Sequence, residues 1–248
     1  QALYSLSAGN EIVAIGTKSL YSCNQGDANT ALGNFSLYAN TDGGSNSALG
    51  NSALYYNTLG SNNTAAGYWA MVKNTEGNNN TAIGSSSLAE NTIGWYNVAL
   101  GVEALYSNKA NDRSTAIGYR SMYYANSTTS GLETFNTALG YEALRGSGSA
   151  ASNTGQYNTA LGDQAMLNNA SGNYNTATGH LAASSNTSGN YIAAHGYKAL
   201  YSNTTGQYNT ANGSKALYSN KANSRATAIG YQALYYADDR TTGRETYN

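Results

Sequence analysis

Hydrophobic residues recur along this chain with a short, fixed beat. An Ala precedes a Gly by two places in turn after turn, a Leu, Ile or Met commonly follows that Gly by four, and Asn, Ser and Thr fill the intervals. The aligned glycines are Gly16, Gly33, Gly50, Gly67, Gly84, Gly101, Gly118, Gly140, Gly162, Gly179, Gly196, Gly213 and Gly230. Their spacing is seventeen residues, apart from two intervals of twenty-two. Helical-hairpin repeats and propeller blades need about 33 residues or more, so a unit this short predicts one turn of a β-solenoid. The expected fold is all-β: a parallel β-solenoid (β-roll) of about fourteen coils, continuous over residues 1–248, with residue i stacked on residue i+17.

The unit reads N-T-A-L-G-Y-x-A-L-Y-S-N-T-x-G-x-Y, as in Asn158 to Tyr174. A second glycine, ten residues after the first, recurs at Gly26, Gly43, Gly60, Gly77, Gly94, Gly172, Gly189 and Gly206. Fixed glycines mark corners, where φ is positive or backbones approach closely. Two short strands per coil fit between them. In the first, N-T-A-L, successive side chains point to opposite faces. One face carries pairs such as Thr81 and Ile83, Thr115 and Ile117, or Thr137 and Leu139. The other carries only alanine: Ala14, Ala31, Ala48, Ala65, Ala82, Ala99, Ala116, Ala138, Ala160, Ala177, Ala194, Ala211 and Ala228. An invariant small residue predicts burial where space is tight. Both faces then read as dry. A thin coil has one interior, so the alanine column is assigned to an interface between chains, in a homo-oligomer built around an axis, a trimer. The second strand, x-A-L-Y, is expected to send its Leu or Met into the coil, as at Leu54, Met71, Leu105 and Leu234.

Two further columns predict ladders about 4.8 Å apart. Tyrosine recurs at Tyr21, Tyr38, Tyr55, Tyr106, Tyr123, Tyr201, Tyr218 and Tyr235, and asparagine at Asn29, Asn46, Asn63, Asn80, Asn136, Asn158, Asn175 and Asn209. Stacked rings and stacked amides stabilise a solenoid with no further role. The tyrosine stripe also suits contacts with carbohydrate, mineral or protein.

Composition narrows the function classes. Charged residues are 10% of the chain and the formal charge is −1, which leaves no electrostatic footprint for nucleic acid or an anionic membrane surface. No apolar run approaches the roughly 20 residues of a membrane-spanning helix. His180 and His195 have no carboxylates patterned around them, and His195 occupies the Leu or Ile column, where it reads as a substituted core residue. Cys23 stands alone in a column that is mostly Asn, so it specifies neither a disulfide framework nor a metal site. Asp27, Asp42, Asp112 and Asp163 do not recur at one common phase, unlike the aspartates of calcium-binding rolls. No catalytic residue, cofactor or metal is assigned. The two long intervals predict surface loops, and loops on a rigid scaffold are where recognition concentrates. Glu133, Arg145, Asp239, Arg240 and Arg244 are therefore the candidate binding residues.

A longer period overlies the short one. The segment Leu105 to Asn136 reappears as Leu217 to Asn248, displaced by 112 residues. That echo predicts a stretch of a longer repetitive polymer in which Thr-Ala-x-Gly resumes after Asn248.

The unit N-T-A-[LI]-G-x-x-[AS]-L resembles the N-S-V-A-I-G-x-x-S repeat in the head domains of trimeric autotransporter adhesins. It is also similar to the N-T-A-I-G-Y-Q-A-L-Y-S-N-T-T-G repeats of tail-fibre-like surface proteins in bacteria and phages. Thr227 to Tyr235 (TAIGYQALY) and Tyr197 to Gly206 (YKALYSNTTG) carry the likeness most closely. The resemblance implies left-handed coils, three chains around one axis, and an extracellular fibre that attaches a cell or virion to a surface, with carbohydrate or a host protein as the contact. The alternative from a different class is a ligand-binding or ice-binding solenoid, since Thr ladders order water. Its single Thr per turn, sharing a face with Leu, argues against that.

Overall fold

The computed structural model describes residues 2–5, 7 and 9–237. They fall into two compact units, one of the chain up to Ile117 with Ser127–Glu133, the other of Gly118–Asn126 with the chain from Thr134 onward. The first unit holds seven three-residue strands: β1 (Val13–Ile15), β2 (Thr30–Leu32), β3 (Ser47–Leu49), β4 (Thr64–Ala66), β5 (Thr81–Ile83), β6 (Val98–Leu100) and β7 (Thr115–Ile117). The second holds six: β8 (Thr137–Leu139), β9 (Thr159–Leu161), β10 (Thr176–Thr178), β11 (Ala193–His195), β12 (Thr210–Asn212) and β13 (Thr227–Ile229). Within each unit consecutive strands pair in parallel in the register of the repeat, Thr64 opposite Thr81 and Ala65 opposite Ala82. The 22-residue interval keeps that register, with Thr137 opposite Thr159. Each unit is a parallel β-solenoid, as the spacing predicts.

The direction of the strands differs from expectation. Ala31, Ala48, Ala65, Ala82, Ala99, Ala116, Ala138, Ala160, Ala177, Ala194 and Ala211 are 0% exposed, Ala228 is 3% exposed, and Ala14, in the first strand, is half-buried. These side chains point into the coil of a single chain. Their assignment to an interface between chains is therefore corrected: a residue with no accessible surface in one chain has none to offer a neighbour. The column is alanine because the coil is thin and its lumen is already filled by Leu20, Leu37, Leu54, Met71, Leu88 and Leu105 in the first unit and Met166, Leu200 and Leu217 in the second, all fully buried. Burying each of these contributes about 1.5–3 kcal/mol.

The second strand is also corrected, since each coil has one strand. In the x-A-L-Y segment Ala53 and Leu54 are both fully buried, whereas neighbours in a strand point to opposite faces. The backbone here enters the left-handed region at alternate residues, Ser52 at φ 56° and Leu54 at φ 53°. Its hydrogen bonds run along the stack in both directions. Ser52 N–H donates to Asn34 O in the preceding coil at 2.9 Å, and Leu54 N–H to Ala70 O in the following one at 3.0 Å. A left-handed L-residue costs about 1–2 kcal/mol, which the cross-coil bonds and the buried leucine offset.

The two glycine columns exist for different reasons. Gly67 has φ 144°, and a Cβ there would sit 2.5 Å from the Gly84 carbonyl oxygen. Gly43 has no unusual φ, yet a Cβ would collide with the Gly60 carbonyl oxygen of the next coil. Buried asparagines close the remaining corners. Asn29 Oδ1 accepts the Asn46 N–H at 2.9 Å, while Asn46 Nδ2 donates to Gly60 O at 2.8 Å. A second amide ladder runs beside it, with Asn74 Nδ2 donating to Asn57 Oδ1 at 2.7 Å.

Candidate functional site

With alanine inside, the opposite strand face is outside. Leu32, Leu49, Ile83 and Leu100 form an outward row in the first unit, with Leu49 44% exposed, beside Thr30, Ser47, Thr64 and Thr81. In the second unit the same column starts with Leu139, 49% exposed, and Leu161, then turns polar at Thr178, His195 and Asn212 before Ile229. His195 thus lies half-buried on an outward face and not in the core position expected of it. In the first unit Leu32 pairs with Leu49 and Ile83 with Leu100 across neighbouring coils, with Ala66 between the two pairs, and all four large side chains are exposed in the single chain.

Aromatic rings form the second surface. The expected tyrosine column stacks in the first unit as Tyr4, Tyr21, Tyr38 and Tyr55, with centroids 4.8, 5.3 and 4.9 Å apart. In the second unit it stacks as Tyr201, Tyr218 and Tyr235 at 5.2 and 4.8 Å. A further ladder, not singled out from the sequence, joins Phe135, Tyr157, Tyr174, Tyr191 and Tyr208 at 4.9–5.1 Å, with rings within 10° of parallel. Its signal was the tyrosine that closes the repeat unit. Cations cap these rings: Lys18 lies 5.5 Å from the Tyr21 ring, and Arg225, which takes the ladder position after Tyr208, lies 5.8 Å from it. Lys198 lies 5.3 Å from both Tyr197 and Tyr201, and its hydrogen bond with Tyr197 holds the ammonium above its usual value.

The loop candidates are engaged locally. Glu133 pairs with Arg113 at 3.3 Å within the first unit, where Asp112 N–H also donates to Leu132 O at 3.0 Å. Arg145 Nη1 meets Glu142 Oε1 at 3.2 Å in the second unit, with Gln164 donating to the other carboxylate oxygen at 3.0 Å. Arg145 Nε is buried without a hydrogen-bond partner. After Arg145 the loop folds through a short 3-10 turn, Ala150–Ser152. Asp239, Arg240 and Arg244 lie outside the described residues.

Two hollows open on the first unit. One of about 530 Å³ is lined by Leu59, Glu76, Ile93, Trp95 and Asp112, with Gly131 of the loop at its edge. Trp95 N–H donates to Asp112 Oδ1 at 2.6 Å, and burial raises the Asp112 carboxyl above its ordinary value in spite of that bond. The other, of about 340 Å³, is lined by Ser52, Tyr55, Tyr56, Trp69, Val72 and Lys73. There the Glu90 carboxylate, 2.8 Å away, holds the Lys73 ammonium above its usual value.

Cys23 is fully buried within its Asn column, its Sγ 3.7 Å from Gly26 O, and desolvation raises the thiol above its ordinary value. Among the described residues no group of three His, Cys, Asp or Glu is placed to hold a metal, and no helix is long and apolar enough to cross a membrane. Comparison with protein-family models, curated proteins and solved structures finds no match for this chain.

Proposed function

We propose that the chain is a structural and adhesive segment of an extracellular fibre, projecting from a cell or virion surface and mediating attachment. In this reading copies associate as a homotrimer of left-handed coils through the outward strand face. The observation that carries the proposal is the row Leu32, Leu49, Ile83 and Leu100, which a monomer leaves in water. Burying such a row against symmetry mates removes apolar surface along the first unit, and a solenoid that grows in one dimension suits projection more than catalysis.

The test compares two substitutions one residue apart in direction. Leu49→Glu places a charge in the outward row and is expected to convert the assembly to folded monomers by light scattering, with its β circular dichroism kept. Ala48→Glu places a charge in the lumen and is expected to unfold the chain, because the carboxylate would be buried without a partner. A wild-type chain that is monomeric at micromolar concentration overturns the assembly.

The same face supports a second reading, since Thr30, Ser47, Thr64 and Thr81 pair in register, coil over coil, as a hydroxyl ladder that suits ordering water. Thermal hysteresis of the purified protein that Thr64→Tyr abolishes would favour ice binding over attachment.

A further inference from the structure

The tyrosine ladder of the first unit is interrupted. After Tyr4, Tyr21, Tyr38 and Tyr55 the column continues as Val72 and Ala89 before tyrosine returns at Tyr106. Tyr38 stacks on one side of Tyr55 at 4.9 Å, and Val72 stands where the next ring would lie. Side chains of the column three residues earlier flank this ladder, as Phe35 does, with centroids 6.0 Å from Tyr38 and 6.3 Å from Tyr55. At the interruption that flanking position is Trp69, 45% exposed. Tyr56, 52% exposed, meets Tyr55 edge-on at 4.6 Å. The missing ring leaves the hollow of about 340 Å³, whose lining carries the Ser52, Tyr55 and Tyr56 hydroxyls and the Lys73 ammonium, itself paired to Glu90 at 2.8 Å.

We propose that this hollow is a binding site for one neutral pyranose of a glycan. Three aromatic side chains and a valine match the apolar C–H face of a sugar ring, and the volume is at the lower end of the range that holds a small ligand. Ser52 Oγ already donates to Asn51 Oδ1 at 2.9 Å, so it meets a sugar hydroxyl as an acceptor. Lys73 supplies a donor whose charge is balanced by Glu90, 2.8 Å away, which suits uncharged hydroxyls better than an anion. The site deepens the attachment reading by naming its ligand class, and none of the outward leucines lines it.

The experiment uses the full chain carrying Trp95→Phe, which makes Trp69 the only tryptophan. Methyl glycosides of glucose, galactose, mannose and N-acetylglucosamine are titrated while Trp69 emission is followed, with phenylalaninamide as the aromatic competitor. At least one glycoside is expected to give a saturable shift. Val72→Tyr restores the residue that the column holds in other coils, so it is expected to keep the melting temperature while weakening binding about tenfold or more, the worth of one aromatic contact. Trp69→Ala, read by ligand-observed NMR, is expected to weaken it similarly. The proposal is overturned by no saturable binding, by unchanged affinity in Val72→Tyr, or by phenylalaninamide binding more tightly than every sugar. The mass of the same samples separates the two readings: assembly without sugar binding leaves the fibre intact and removes only the site.

Discussion

At the scale of single residues, the amides do what hydrophobic side chains do in a wider core. Asn63 illustrates it: Oδ1 accepts from Asn80 N–H at 3.0 Å and Nδ2 donates to Gly77 O at 2.8 Å, so one buried side chain ties two coils and closes a corner. A buried amide satisfied at both ends is net favourable by about 1 kcal/mol per bond, while leaving a partner unpaired costs about 1–3 kcal/mol. Cys23 is the natural exception in the neighbouring ladder, since its sulfur meets the Gly26 carbonyl at 3.7 Å and the Asn40 side chain, where Asn40 and Asn57 each reach the equivalent carbonyl at 2.9 Å and are joined to each other through amide groups. Replacing it is therefore expected to stabilise. Cys23→Asn should replace the weak sulfur hydrogen bonds to Gly26 O and Asn40 by amide ones, worth about 1 kcal/mol and a rise of about 2–4 °C in the thermal midpoint. In the wild type a thiol reagent near neutral pH should label Cys23 only as fast as the fold opens, because the group is buried and its ionisation is suppressed. Rapid labelling of the folded chain would contradict that placement.

At the scale of the element, the sequence made the period, the parallel register and the filling of the lumen by Leu and Met legible, because each is a statement about columns. What the columns left ambiguous was direction. Alternation in Thr-Ala-Leu separates two faces, yet nothing in it says which is inside, and habit assigns Leu inward. The adjacent Ala53 and Leu54 held the answer: two neighbours that both enter the one interior of a thin coil cannot be in a strand, whose side chains alternate, and a lumen already filled by leucine leaves room only for alanine opposite. The left-handed residues are invisible to pattern reading because they include Leu, Lys, Gln and Tyr, which ordinarily avoid that conformation. Their cost is open to measurement at Ser45, exposed, with φ 57° and its N–H donating to Asp27 O at 2.9 Å. Ser45→Gly is expected to leave stability unchanged or raise it by up to about 1 kcal/mol in urea unfolding, and Ser45→Val to lower it by at least about 1 kcal/mol. The reverse order would mean that this corner is not left-handed.

At the scale of the whole molecule, the hollow beside Trp69 and the outward leucine row share an origin. Both arise from what the repeat does at one position per coil, an unsatisfied outer face in one case and an omitted ring in the other. Neither was assigned as a site from the sequence, where attention went to charged loop residues that the structure shows engaged in local ion pairs at Glu133 and Arg145. A stack whose coils touch only their neighbours also carries a prediction about length. Deleting residues 47–63 of the first unit joins Asn46 to Thr64, so that β2 would pair with β4 in the register that β3 had with either. Every glycine, asparagine and leucine column then continues unbroken, since each coil needs only an identical surface on either side. The shortened chain is expected to unfold cooperatively with the same β circular dichroism per residue and a thermal midpoint lower by only a few degrees, about 2–4 °C for each kcal/mol that the coil contributed. Deleting residues 47–62 instead leaves an eighteen-residue interval between β2 and β4, which displaces the columns by one residue at that single junction unless the extra residue is put out as a bulge, and is expected to lower the midpoint further than the in-register deletion does. If the two deletions behave alike, the seventeen-residue coil is not the cooperative unit of this protein.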